Sequence, residues 1–133
     1  MKPSDPTDPR PARAEVFPRR LRITARRDFT ATYDAGRRHG GRLVVVFARP
    51  RDGEGRLGVT ATRKVGNAVV RNRARRRVRE IYRRWHARAP LSAALEVVVN
   101  VTARSAGAPF AALEAELSGL LDRAAASAWP ERA

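Results

Sequence analysis

Apolar residues return every three or four positions from Val70 onward: Val70, Ala74, Val78, Ile81 and Trp85. At about 100° per residue they form a stripe roughly 60–80° wide, which Tyr82 broadens. The pattern predicts a helix from about Ala68 to Trp85 or His86, with Asn67 as its cap and Pro90 as its limit. Leu43 to Phe47 and Leu95 to Val101 are instead continuously apolar, the pattern of strands buried on both faces. Arg56 to Thr62 predicts a third strand. The short Gly-, Pro- and charge-rich turn between Phe47 and Arg56 implies an antiparallel hairpin of Leu43–Phe47 with Arg56–Thr62. Two further helices are expected. One runs from Ala25 to Asp34, with Thr24 as N-cap and Gly36 as a C′ residue. The other opens at Pro109 and carries Phe110, Leu113, Leu117, Leu120 and Leu121 on one side.

The resulting order, α-β-β-α-β-α, predicts an α+β fold, a two-layer sandwich of helices on a small central sheet. Residues 1–20 hold five of the nine prolines and no apolar period, so they are expected to form a disordered Pro/Arg-rich arm, which need be no more than an extension. The folded domain should span 21–126, leaving 127–133 as a tail.

Charge changes the picture of the long helix. Between Arg63 and Arg88 lie eleven of the 28 basic residues and one acid, Glu80, which is +10 of a total of +15. With the apolar stripe turned inward, Asn72, Arg76, Arg79 and Arg83 form one outer ridge, and Arg73, Arg77, Glu80 and Arg84 another. Arg75 lies at the border beside Tyr82. Arg71 falls inside the stripe by angle, in the first turn, where it should escape toward the sheet's edge and bind something different from the ridges. Like charges so close repel, and a merely solvated face gains nothing from them. Guanidinium groups suit bidentate phosphate contact and stacking on exposed bases, so a structured RNA is the natural partner. A membrane-surface helix also pairs basic and apolar faces, but here the apolar stripe is needed to cover valine-rich strands.

Two smaller patterns are ambiguous on spacing alone. Phe29 and Tyr33, four apart, share a helix face and serve either as core or as a stacking platform. Thr60, Thr62 and Lys64, in phase on one strand face, either meet solvent or face an oxygen-rich ligand.

Other chemistries are poorly supplied. The chain has no cysteine, and its two histidines, His39 and His86, lack spaced partners. Its acids are scattered singly, so spacing yields no carboxylate cluster for a metal-dependent nuclease. No apolar run is long enough for a membrane span, and the N-terminus lacks a secretory h-region, so a cytoplasmic protein is expected. A pI near 11.8 favours nucleic acid as the partner.

The stretch KVGNAVVRNRARRRVRE, with its core Arg71-Asn72-Arg73 and further charges at Arg75, Arg76 and Arg79, resembles the signature of the bacterial ribonuclease P protein component. RLRITARRDFTATYDAGRR resembles that family's first helix, and GRLVVVFARP with RLGVTATRKVGNAV its hairpin and approach to the signature; the likeness spans roughly Phe17 to Ala126. The resemblance implies the small subunit of a ribonucleoprotein that removes the 5′ leader of precursor tRNA. In it the RNA subunit with bound Mg²⁺ is the catalyst, and neither an organic cofactor, a further protein partner nor a membrane is needed. It implies that Arg71, Asn72, Arg73, Arg75, Arg76 and Arg79 contact the catalytic RNA. A leader cleft would then be lined by Phe29, Tyr33, Phe47, Thr60, Thr62, Arg63 and Lys64, which turns both ambiguous patterns into walls of one groove. No residue of the chain would be catalytic. Tyr33, where phenylalanine is common, still stacks; Thr60 and Thr62 keep the hydroxyls of the family's serines; Ala61 and Arg63 also depart from the usual pattern. The family's fold further implies a left-handed crossover through the basic helix, against the general preference. The alternative in another class is a free-standing RNA- or DNA-binding module such as a ribosomal or nucleoid protein.

Overall fold

The computed structural model describes residues 18–51, 53–88 and 95–126. Most of the arm, the tail and the segment around Pro90 therefore lie outside the described residues. The elements are α1 (Arg26–Ala35), β1 (Arg37–Gly40), β2 (Val44–Pro50), β3 (Arg56–Thr60), α2 (Ala68–Arg88), β4 (Leu95–Val101) and α3 (Phe110–Ala126), with short 3₁₀ turns at Arg19–Leu21 and Ala103–Gly107. The expected α+β order holds, with β1 as an additional strand that its sequence, RRHG, does not announce.

One sheet runs β1-β2-β4-β3. β2 pairs antiparallel with β1 and with β4, whereas β3 pairs parallel with β4. The expected hairpin of β2 and β3 is thus absent, because β4 lies between them. Two strand spacings, ~10 Å, are within reach of the short connection. Burial explains the choice: VVVFARP and LEVVVNV are apolar on both faces and occupy the centre, while RLGVT takes the edge. The β3–α2–β4 unit is the parallel crossover through the basic helix.

The two faces of the sheet differ in cover. Val44, Val46, Ala48, Leu57, Val97, Val99 and Val101 form the core with Ala74, Val78, Ile81, Tyr82 and Trp85 of α2 and Leu113, Leu117, Leu120, Leu121 and Ala124 of α3. The apolar stripes read from α2 and α3 are the ones buried. The acids of α3 serve this packing. Glu116 accepts from the backbone of Leu43 and Val44 at 2.7 and 3.0 Å, and Asp122 accepts from Trp85 Nε1 at 2.8 Å. The opposite face carries α1, and its residues fall in rows set by the strand register: Phe47–Val98–Gly58 and Val45–Asn100–Thr60.

Several local expectations need correction. Ala25, not Thr24, is the N-cap of α1, and no side chain caps that end. Gly36 follows α1 at φ −81°, so it is no left-handed cap; a side chain there would collide with the backbone of Thr32 and Ala48. β3 ends at Thr60, and α2 runs on to Arg88. Asn67 does cap α2, its Oδ1 accepting from Val70 N at 3.0 Å. Gly66 before it has φ +151°, and a Cβ would sit 2.9 Å from Val70, so glycine is required there on both counts.

Candidate nucleic-acid interface

The basic helix has two flanks with different employment. On the flank toward α3, Arg77 donates to the Ala108 carbonyl at 2.7 Å and lies over the Phe110 ring. Arg84 also lies over Phe110 and pairs with Glu80 at 2.8 Å and Glu114 at 3.3 Å. Glu80 pairs with Arg83 as well, at 2.7 Å. Hydrogen bonds from Arg83 and then Arg84 hold the Glu80 carboxyl below the usual carboxylate range, against its partial burial. Half of the expected outer surface is therefore engaged within the protein.

The other flank is open. Asn72 and Arg76 are exposed and Arg79 is half-buried; Arg73, also exposed, stands instead on the α3 side, next to Arg77 and Ala106. Among the described residues, Arg73, Arg76 and Arg79 make no hydrogen bond or ion pair. Burial, then the neighbouring guanidinium groups of Arg22 and Arg75, lowers the Arg79 pKa below the ordinary arginine value. Positive charge is therefore crowded around Arg79, and Arg73, Arg76 and Arg79 have no acid bonded to them among the described residues, which is the electrostatic setting of a polyanion site. Arg75 is tied to Asn72 Oδ1 at 2.9 Å. Arg71 neither joins a ridge nor reaches outward: its guanidinium donates to the Gly66 carbonyl at 2.9 Å, fastening the turn before α2 to the helix. Its angle on the helix sets Arg71 apart, and an internal bond is the reason.

Across the sheet from α2, α1 brings Phe29 and Tyr33 onto the second face. Phe29 lies against Gly58, where a Cβ would come within 2.6 Å of its ring, so the absent side chain makes room for the aromatic. Tyr33 and Phe47 meet edge to face, with centroids 5.0 Å apart at 85°. The Tyr33 hydroxyl donates to Asn100 Oδ1 at 2.7 Å and lies 3.1 Å from Thr60 Oγ1. Phe29, Tyr33, Val45, Phe47, Thr60 and Asn100 are all half-exposed, so rings and polar groups share one partly open face beside α1. Four of the residues picked out by sequence, Phe29, Tyr33, Phe47 and Thr60, thus come together. Thr62, Arg63 and Lys64 do not lie on a strand face with Thr60, because β3 has ended. They occupy the turn into α2, where Val65 N bonds Thr62 O and Gly66 N bonds Arg63 O. Their side chains are exposed, and no hydrogen bond or ring contact joins them to the aromatic cluster among the described residues.

Sequence reasoning missed two participants on this face. Asn100 stands out only as the polar residue in a run of valines. Glu96 is 1% exposed, yet receives Arg49 at 2.6 Å and also Arg56, in one row across β2, β4 and β3; Asp28 of α1 lies 3.3 Å from Arg56. This ion-pair row closes the face at the end remote from Asn100 and Thr60. No group of three or more His, Asp or Glu side chains converges to hold a metal ion among the described residues. No helix among them is long and apolar enough to cross a membrane.

Comparison with known proteins identifies the family. Residues 17–125 match the family model described as Ribonuclease P. A ribonuclease P protein component of Desulfovibrio desulfuricans is 42% identical over 116 residues, covering 85% of this chain and 89% of the relative. One from Acidothermus cellulolyticus is 40% identical over 111 residues, covering 81% and 91%. Among solved structures, the RNase P protein of Staphylococcus aureus superposes with TM-score 0.71 at 25% identity, over 78% of this chain and 94% of that one. That of Thermotoga maritima gives 0.69 at 31%, over 77% and 96%.

Proposed function

The chain belongs to the ribonuclease P protein family, and from that membership we propose that it is the RNA-binding subunit of a ribonucleoprotein that removes the 5′ leader from precursor tRNA. The observation that carries the reading is the open flank formed by the outer face of α2, where Arg73, Arg76 and Arg79 bond no acid among the described residues, on a helix anchored from behind by its apolar stripe. This flank, with Asn72 and Arg75, grips the catalytic RNA. Arg71 supports the grip indirectly by holding the turn that starts the helix.

The second surface takes the leader. A single strand offers unstacked bases and a phosphate chain, and rings beside hydroxyls and cations match both without demanding a sequence. Phe29, Tyr33 and Phe47 supply the rings and Thr60 the hydroxyl. Thr62, Arg63 and Lys64 extend the path toward α2 as phosphate contacts. Cleavage itself belongs to the RNA subunit and the Mg²⁺ bound there; the protein contributes affinity and positioning, and acts in the cytoplasm without a further protein partner.

Adding the protein to a cognate bacterial ribonuclease P RNA at low Mg²⁺ tests this. The expected result is restored cleavage of precursor tRNA at the mature 5′ end, and none by the protein alone. Failure to rescue, with undiminished binding to unrelated RNA or DNA, points instead to a free-standing nucleic-acid-binding module.

A further inference from the structure

In the run LEVVVNV, Asn100 is the one residue whose polarity packing does not ask for: asparagine is disfavoured in strands, and a polar group near the core is costly unless bonded. Its neighbours Val97, Val98 and Val99 are fully buried, but Asn100 is half-exposed, in the row Val45–Asn100–Thr60 on the face that carries α1. Only one end of its amide is used. Oδ1 accepts the Tyr33 hydroxyl at 2.7 Å, which fixes the amide plane. Tyr33 has a single proton to give, so Thr60 Oγ1, 3.1 Å away, donates to Tyr33 in turn. The amide nitrogen makes no hydrogen bond among the described residues, and it is not among the buried unpartnered atoms, so it reaches solvent. Two N–H donors are thus held in a fixed orientation beside the Tyr33 and Phe47 rings.

We propose that Asn100 reads one base of the bound strand, its amide N–H groups donating to an acceptor on the edge of a base seated against Tyr33 and Phe47. The inference rests on the leader-cleft reading above and adds a preference to it. Stacking alone tolerates every base, since each has a π face. A donor of fixed direction does not, because the Watson–Crick and Hoogsteen edges differ in where their acceptors lie. Tyr33 then has two tasks, as a stacking surface and as the anchor that aims the amide.

The test uses the full chain reconstituted with a bacterial ribonuclease P RNA and precursor tRNAs whose leader carries each of the four bases at each successive position. Wild type is expected to discriminate at one position by roughly two- to tenfold in affinity, the worth of one hydrogen bond. Asn100→Leu, similar in volume, collapses that spread. So does Asn100→Asp, which keeps the acceptor for Tyr33 and removes the donors. In wild type, an analogue of the preferred base with the acceptor nitrogen replaced by carbon loses the same factor, a readout that does not depend on a variant folding. A spread that survives both substitutions overturns the inference, as does a uniform loss of affinity with the spread intact, which would reduce Asn100 to a support for Tyr33. If leader-bearing precursors bind wild type no better than mature tRNA, the cleft reading itself falls, and the inference with it.

Discussion

The outward arginines of α2 are one residue type on one helix, yet Arg77, Arg83 and Arg84 are occupied within the protein while Arg73, Arg76 and Arg79 are not. On the α3 side, Arg77 and Arg84 satisfy a carbonyl, two carboxylates and an aromatic ring. Elsewhere on the outer face, Arg73, Arg76 and Arg79 bond no acid among the described residues, and Arg79 lies near Arg22 and Arg75. A high local density of arginine therefore does not by itself mark an open surface; the reach of the acids among the described residues decides it. Where Glu80 and Glu114 stand, arginine becomes part of the scaffold, and where no described acid is in reach, it stays available to an external polyanion.

The largest expected effect lies on the open flank. Arg73→Ala with Arg76→Ala should weaken binding to the ribonuclease P RNA by ~100-fold if each removes a charged hydrogen bond worth about 1.5 kcal/mol. Isotherms across a salt series should show the slope falling by about 0.7–0.9 log units for each phosphate that is no longer neutralised. An undiminished slope would erase the distinction between the flanks. Next comes the groove: Phe29→Ala should cost precursor tRNA about 1–3 kcal/mol of affinity while sparing mature tRNA, with unfolding checked by thermal melts.

The occupied flank should behave the opposite way. Arg77→Ala removes the bond to Ala108 O and the packing on Phe110, and should lower stability by about 1–2 kcal/mol while leaving the salt slope of RNA binding unchanged. Denaturant titration beside the same isotherms separates the two effects. The smallest effect concerns Glu80. Its folded pKa is depressed, chiefly by Arg83, so its contribution is complete above the ordinary glutamate pKa and is lost as pH falls through the depressed value. Because the pair is partly exposed, Glu80→Gln should cost under about 1 kcal/mol at neutral pH and nothing once the native carboxyl is protonated. Melts of both proteins from neutral pH into the acid range would check the convergence.

Much of this is legible in the sequence, and the gaps have physical causes. The stripe Val70, Ala74, Val78, Ile81 and Trp85 specifies which side of α2 is buried, because the helical period fixes angles. It does not say which outer ridge meets α3, since that depends on where Glu114 and the Ala108 carbonyl arrive in space. The apolar character of β2 and β4 marks both as central, but strand order is a long-range property, and the short connection to β3 suggests a pairing that β4 interrupts. β1 is invisible because an edge strand of Arg, Arg, His and Gly has neither alternation nor β-branched residues. In the groove, spacing singles out Phe29 and Tyr33, and only the family resemblance assigns them a role. Asn100 escapes notice because its significance lies in a partner 67 residues away in the chain. Thr62 and Lys64 fall outside the strand face because nothing in their pattern marks where β3 stops.

The central claim is that two separate surfaces hold two separate RNAs, and site-specific photo-crosslinking tests it most directly. A photoreactive side chain at Arg76, and in a second protein at Thr62, would each be irradiated in the reconstituted complex with precursor tRNA. The account predicts that the probe at Arg76 joins the catalytic RNA and the probe at Thr62 joins the 5′ leader. Attachment of the Arg76 probe to the leader, or of both probes to the same RNA, would contradict it.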